Sequence, residues 1–334
     1  MTVLANIDTL DDIATLAEAL PTADQASREA ATVRQNSLTK PPGALGRLED
    51  IAVFLAGWQK AKRPVIDRAQ AIVFAGNHGI CAQGVNPFPQ EVTAQMVANF
   101  EAGGAAINQL CGVVGADLTV IPLELDRPTQ DFTLAEAMSA DECLSAMKAG
   151  ADAVDATANI LLLGEMGIGN STVAAALAYL GFGGDAGGWV GRGTGSDDAG
   201  LARKVDALTS AKERHASATG LDLLTSIGGR EQAAICGAVL EARARAIPVV
   251  LDGFICTAAT VPLYLANARF LDHCLVGHVS REPGHQKLLE NMGMDPILSL
   301  DMALGEGSGA AVALGVVRAA LACHNGMASF AEAG

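Results

Sequence analysis

Three glycine-flanked segments carry the residues best suited to chemistry. The first is Gly164-Glu165-Met166-Gly167-Ile168-Gly169-Asn170-Ser171-Thr172. Its glycines allow close backbone approach to a ligand, and Asn170 or Ser171 can cap a helix whose first N–H groups face an anion. A plain strand-to-helix turn rarely needs three glycines and a carboxylate together. The second is Gly191-Arg192-Gly193-Thr194-Gly195-Ser196-Asp197-Asp198, which leads to Arg203 and Lys204. It has neither the Lys-Ser/Thr of a Walker A loop nor the glycine spacing of a dinucleotide site. Its N–H groups and the point charge of Lys204 can still hold one phosphate. A surface loop with a solvated lysine fits the same residues. The third is Leu304-Gly305-Glu306-Gly307-Ser308-Gly309, ahead of an Ala/Val-rich stretch. Partial desolvation there raises a carboxylate's pKa toward that of a useful base. A glutamate that only complements a helix dipole fits Glu306 as well.

Weaker signals lie elsewhere. Asn77 and His78 follow a short apolar run, but a lone histidine is commonly structural. Phe88 and Met96 can line a flat apolar pocket or belong to the core. His273, Cys274, His278 and His285 match no standard zinc spacing, and no nucleophile elbow is present. No metal ligand is assigned.

The elements that must position these groups follow from periodicity. Residues 70–76, 118–123, 159–164, 247–253 and 274–278 are short apolar runs, several of them ending at glycine, as buried parallel strands do. Helical spacing fills 91–111, 134–158, 171–180, 200–217, 231–246 and 282–292. Repeated βαβ units predict an α/β fold with a mostly parallel sheet and helices on both faces. Ligands in such a sheet sit beyond the carboxyl ends of the strands. Before it, residues 8–35 read as two exposed amphipathic helices broken at Pro21, and Ala44 to Trp58 as a third helix. A small helical domain is expected from both chain ends, 1–60 and 295–334, around a large domain of 61–294.

Composition narrows the function classes. Of the 334 residues, 22 are basic and 37 acidic, so the net charge of −15 offers no basic face to a nucleic acid. Seven dispersed cysteines without a CxxC pair fit reduced thiols in the cytoplasm. The opening MTVLANIDTLDD lacks the basic and apolar regions of a signal peptide, and the apolar stretch from Gly309 to Cys323 is too short for a bilayer. Neither a membrane nor a nucleic-acid partner is expected.

Taken in order, SLTKPPGALGRLE, NHG, GEMGIGNST, RKVDAL, IGGREQAAICG, VVLDGF and LGEGSGAA resemble the nicotinate-nucleotide–dimethylbenzimidazole phosphoribosyltransferase family, over residues 37 to about 320. Single motifs are weak, whereas the ordered set is specific. The resemblance implies a cofactor-free reaction of nicotinate mononucleotide with 5,6-dimethylbenzimidazole, giving α-ribazole 5′-phosphate and nicotinate for the lower nucleotide loop of cobalamin. It also implies a Rossmann-like large domain and a homodimer. The family's catalytic glutamate falls on Glu306, and a second, near the ribose and acceptor, on Glu165. Gly167, Gly193, Lys204 and Ser280 match positions around the phosphate. Phe88, Met96, Met166 and Leu304 match positions of the acceptor pocket. Relatives with other pockets take purine-like, other benzimidazole or phenolic acceptors. A non-catalytic nucleotide-binding protein is the remaining alternative.

Overall fold

The computed structural model describes residues 1–193 and 195–334. Six strands form one sheet: β1 Ala69–Ala75, β2 Ala116–Pro122, β3 Ile160–Met166, β4 Val249–Leu251, β5 Cys274–His278 and β6 Pro296–Leu298. Their order is β2-β1-β3-β4-β5-β6, and every pairing is parallel. The five apolar runs each became a strand. β6 has only three residues, all half-buried, at the sheet's edge; that is too short a signal to read from sequence.

The central strands are apolar without alternation because both faces are covered. Successive side chains point to opposite sides. Ile72, Phe74, Leu161 and Leu163 enter one core, while Ala71, Val73, Ile160 and Leu162 enter the other. Helices Ala140–Asp152, Asn170–Phe182 and Arg230–Ala244 cover the first face. Arg47–Gln59, Ala106–Val114 and Ser308–Gly326 cover the second.

Two helical stretches are shorter than periodicity predicts. Residues 91–111 split into Glu91–Glu101 and Ala106–Val114, because Gly103 takes φ +77° between them. Residues 134–158 yield only Ala140–Asp152, which starts where Ser139 and Glu142 form a capping box. The chain ends are sewn together. Arg34 donates to the carbonyls of His324 (2.6 Å), Asn325 (3.1 Å) and Met327 (3.0 Å), and Leu38 bridges to Ser329.

Ala140–Asp152 and Arg230–Ala244 approach so closely that only glycine fits at their crossing. A Cβ on Gly237 would lie 1.8 Å from the Met147 carbonyl oxygen, and one on Gly150 1.9 Å from that of Ala234. Both obstacles are backbone, so the helices must separate to admit a methyl. Gly237→Ala is expected to lower unfolding free energy by about 1–3 kcal/mol. A reduced denaturant midpoint at unchanged slope checks this.

Candidate active site

Strand order reverses between β1 and β3, where doubly wound sheets commonly open a crevice. Here that space is filled. His78, fully buried, lies 2.9 Å from the equally buried Glu231. The Gly76 N–H donates to the Met166 carbonyl (3.0 Å), and a Cβ on Gly167 would lie 3.0 Å from His78 Nε2. Asn77 turns aside, donating to the Leu125 carbonyl at 3.0 Å. The open cavity therefore sits farther along, beyond the carboxyl ends of β3, β4 and β5, and measures about 760 Å³ including its mouth.

The four residues matched to the phosphate share this cavity. Gly167, Gly193, Lys204 and Ser280, from four separate segments, all line it. The helix Asn170–Phe182 begins there at Gly169 with no side-chain cap; the Asn170 and Thr172 N–H groups donate to the carbonyls of Gly167 (3.2 Å) and Gly169 (3.0 Å), and that of Ser171 has no backbone partner among the described residues. Asn170 and Ser171 do not cap it as the sequence reading expected. Asn170 instead donates to Glu165, and Ser171 Oγ receives Lys204 Nζ at 3.3 Å. Lys204, 2% exposed, also donates to the Gly191 carbonyl (2.8 Å). Burial lowers its pKa, and Glu282 opposes that shift. Glu282 Oε1 accepts from the Gly193 N–H (3.1 Å), while His285 Nδ1 accepts from the Ser280 N–H (2.8 Å). Thr194 lies outside the described residues.

Buried carboxylates line the same cavity. Glu165, at the end of β3, is 4% exposed, and its Oε1 would lie 2.5 Å from a Cβ on Gly305. Burial first, then the charges of Asp252 and Glu231, push its pKa well above the carboxylate range. Asp252, directly after β4, is 1% exposed, and burial raises its pKa to about 7. Glu306 is 7% exposed, and burial raises it too. It takes φ +64° between Gly305 (+84°) and Gly307 (+81°), three successive left-handed residues of which only the middle one bears a side chain. The turn rests on β3, where a Cβ on Gly164 would lie 2.5 Å from the Gly307 nitrogen.

Not every expected residue meets here. Met166 and Leu304 line the cavity, Leu304 at 57% exposure near its rim. Glu306 is not part of the lining, although its neighbours Leu304 and Gly305 are. Phe88 is 47% exposed and not part of the lining, and Met96 packs against the second apolar core. Asp252, His278 and Glu282 line the cavity although the sequence assigned none of them a role there; Asp252 falls within VVLDGF and His278 among the residues weighed for a metal. Their signal was position: each stands at or just after the end of a short apolar run. Among the described residues no group of three or more His, Cys, Asp or Glu is arranged to hold a metal ion.

A raised carboxylate pKa has a definite sign in stability. Below the ordinary glutamate value near 4.5, Glu165 is protonated folded and unfolded, and nothing is lost. As pH rises toward its folded pKa, the unfolded chain ionises first and folding becomes less favourable. Glu165→Gln is therefore expected to melt above the wild type at pH 8, by about 2–4 °C per kcal/mol regained, with the gap closing at pH 4.5. Calorimetry at both pH values checks it.

This geometry matches known proteins closely. A phosphoribosyltransferase family model covers residues 20–334. The chain is 60% identical to the nicotinate-nucleotide–dimethylbenzimidazole phosphoribosyltransferase of Rhodobacter capsulatus over 331 residues, 99% of each chain. It is 59% identical to that of Novosphingobium aromaticivorans, over 95% of this chain and 94% of the other. The crystal structure of the Thermus thermophilus enzyme of the same name superposes with a TM-score of 0.87 at 38% identity, covering 93% of this chain and 98% of that one. On these matches the chain belongs to the nicotinate-nucleotide–dimethylbenzimidazole phosphoribosyltransferase family.

Proposed function

We propose that this chain transfers the phosphoribosyl group of nicotinate mononucleotide to 5,6-dimethylbenzimidazole, giving α-ribazole 5′-phosphate and nicotinate for cobalamin assembly. The observation that carries this reading is that one cavity gathers the buried Lys204 and an uncapped helix start together with the buried carboxylates Glu165 and Asp252, with the Glu306 turn next to its lining. The donor likewise carries both charges, an anionic phosphate separated by ribose from a cationic pyridinium.

In this reading Lys204, Ser280 and the N–H groups of Gly167 and Gly193 hold the phosphate, and Glu165 faces the ribose. A bound phosphate displaces the Glu282 carboxylate from the Gly193 N–H. The leaving nitrogen already carries positive charge, so its bond to C1′ breaks onto nitrogen and needs no general acid. One benzimidazole nitrogen attacks C1′ from the opposite face, inverting β to α. The N–H on its other nitrogen becomes acidic as the bond forms, and Glu306, kept basic by burial, takes that proton. Holding both rings on opposite sides of the ribose supplies the rest of the acceleration.

Met166 and Leu304 offer the acceptor apolar contact and no side-chain hydrogen bond. Such walls discriminate weakly between flat bases of similar size. This favours a second reading of the same site, in which another benzimidazole, a purine or a phenol is accepted, with Phe88 and Met96 acting if the rim closes over the base.

Three further readings accompany the reaction. The sewn chain ends favour a small domain of 1–60 and 295–334 beside a large one of 61–294. The seven unpaired cysteines fit a cytoplasmic protein. No helix among the described residues is long and apolar enough to cross a membrane. Family membership favours a homodimer, which sedimentation would test.

Incubation with nicotinate mononucleotide and a panel of bases, read by mass spectrometry, tests the activity. Free nicotinate released only with a base is expected; release without any base, or none at all, contradicts the proposal. Glu306→Gln is expected to lower turnover by about 10²–10⁴ with donor affinity held within about threefold. Lys204→Ala is expected to weaken donor binding by about tenfold or more, read by calorimetry.

A further inference from the structure

We propose that Asp252 is a positioning residue for Glu306: its carboxylate holds the left-handed turn that aims the base, acting on turnover through Glu306. The inference rests on the reading of Glu306 as the base.

The geometry is specific. Asp252 Oδ2 accepts from the Gly307 N–H at 3.1 Å, and Oδ1 accepts from the Ala310 N–H at 2.9 Å. One donor directly follows Glu306; the other lies in the first turn of the helix Ser308–Gly326. That helix begins at Gly307, which has no side chain to cap it. Asp252, reaching across from β4, supplies the missing cap, with its negative charge at the positive end of a long helix.

The turn needs such a pin. A non-glycine residue at φ +64° persists where its surroundings over-determine it. From one side Gly164 of β3 presses against the Gly307 nitrogen. From another, His278 of β5 packs against Gly309, where a Cβ would lie 1.9 Å from its Cδ2. Those contacts are steric and fix where the turn cannot go. Ser308 closes the turn on itself, its N–H (3.0 Å) and Oγ (2.7 Å) both donating to the Gly305 carbonyl, and Asp252 supplies the directional bonds that tie the closed turn to β4. His278 Nε2 stands 3.8 Å from Oδ1, outside hydrogen-bond distance, so the backbone N–H groups are the partners of both oxygens.

An amide of the same size can satisfy one of these N–H groups but must point its own NH₂ at the other. The test is a kinetic double-mutant cycle of Asp252→Asn and Glu306→Gln with saturating base. Asp252→Asn alone is expected to lower kcat by about a hundredfold, as a displaced catalytic group does. In the Glu306→Gln background the same substitution is expected to lower kcat by less than about twofold, because the group it aims is gone. Equal losses in both backgrounds, or no loss in the first, would overturn the inference while leaving the base reading intact. Full turnover in Glu306→Gln alone would overturn the base reading, and this one with it. Should Asp252→Asn fail to fold, amide exchange in the wild type decides the matter. The Gly307 amide is expected to exchange more slowly than that of Glu306, and equal rates would contradict the pin.

Discussion

The constraint on which this structure turns is the burial of carboxylates that no lysine or arginine pairs among the described residues. Glu165, Glu231, Asp252 and Glu306 are each less than a tenth exposed and lie around the carboxyl ends of the central strands. Removing a carboxylate from water is costly unless hydrogen bonds or opposite charge replace the hydration. Here neutral donors do most of that work: Asn170 for Glu165, and backbone N–H groups for Asp252. Glu231 has His78 at 2.9 Å. The residual cost shows as raised pKa values at Glu165, Asp252 and Glu306. A substrate whose reacting carbon and leaving nitrogen share a positive charge relieves that cost when it binds. The same environment that disfavours ionised carboxylates makes Glu306 a stronger base than an exposed glutamate.

Backbone economy makes this crowding possible. Gly164 lets the Glu306 turn lie directly on β3, and Gly305 leaves room for the Glu165 oxygens. A side chain at either point would push the Glu306 turn away from the sheet. At Lys204 the same logic runs with opposite charge: its ammonium is drawn inside by the Gly191 carbonyl and Ser171, on a helix that approaches from outside the sheet. The two groups meet at one helix start, where Asn170 donates to Glu165 and its neighbour Ser171 receives Lys204.

Much of this was legible in the residues. Four of the five strands drawn from short apolar runs are buried along their length, which leaves little room for polar residues, whereas the edge strand β2 is only partly buried. Gly167, Gly193, Lys204 and Ser280, distant in sequence, share one cavity with Glu165, Met166 and Leu304. What escaped depends on three-dimensional register. Asp252 stands in a readable strand-end position, yet its partners lie 55 and 58 residues away, and nothing local announces that pairing. Met96 illustrates the converse: its type suits an acceptor pocket, but the face it presents is decided by how its helix packs. The filled switch point was equally hidden, since His78 meets Glu231 only once β1 and the helix from Arg230 are in place.

The central claim is that Glu306 removes the acceptor's proton in its ionised form. The dependence of kcat on pH, measured for the wild type and Glu306→Gln with both substrates saturating, tests it most directly. Wild-type kcat should fall tenfold per pH unit on the acid side, with a midpoint above the ordinary glutamate value near 4.5. The variant should be slow and lack that limb. An acid limb of the same midpoint and amplitude in the variant, at near wild-type turnover, would contradict the account.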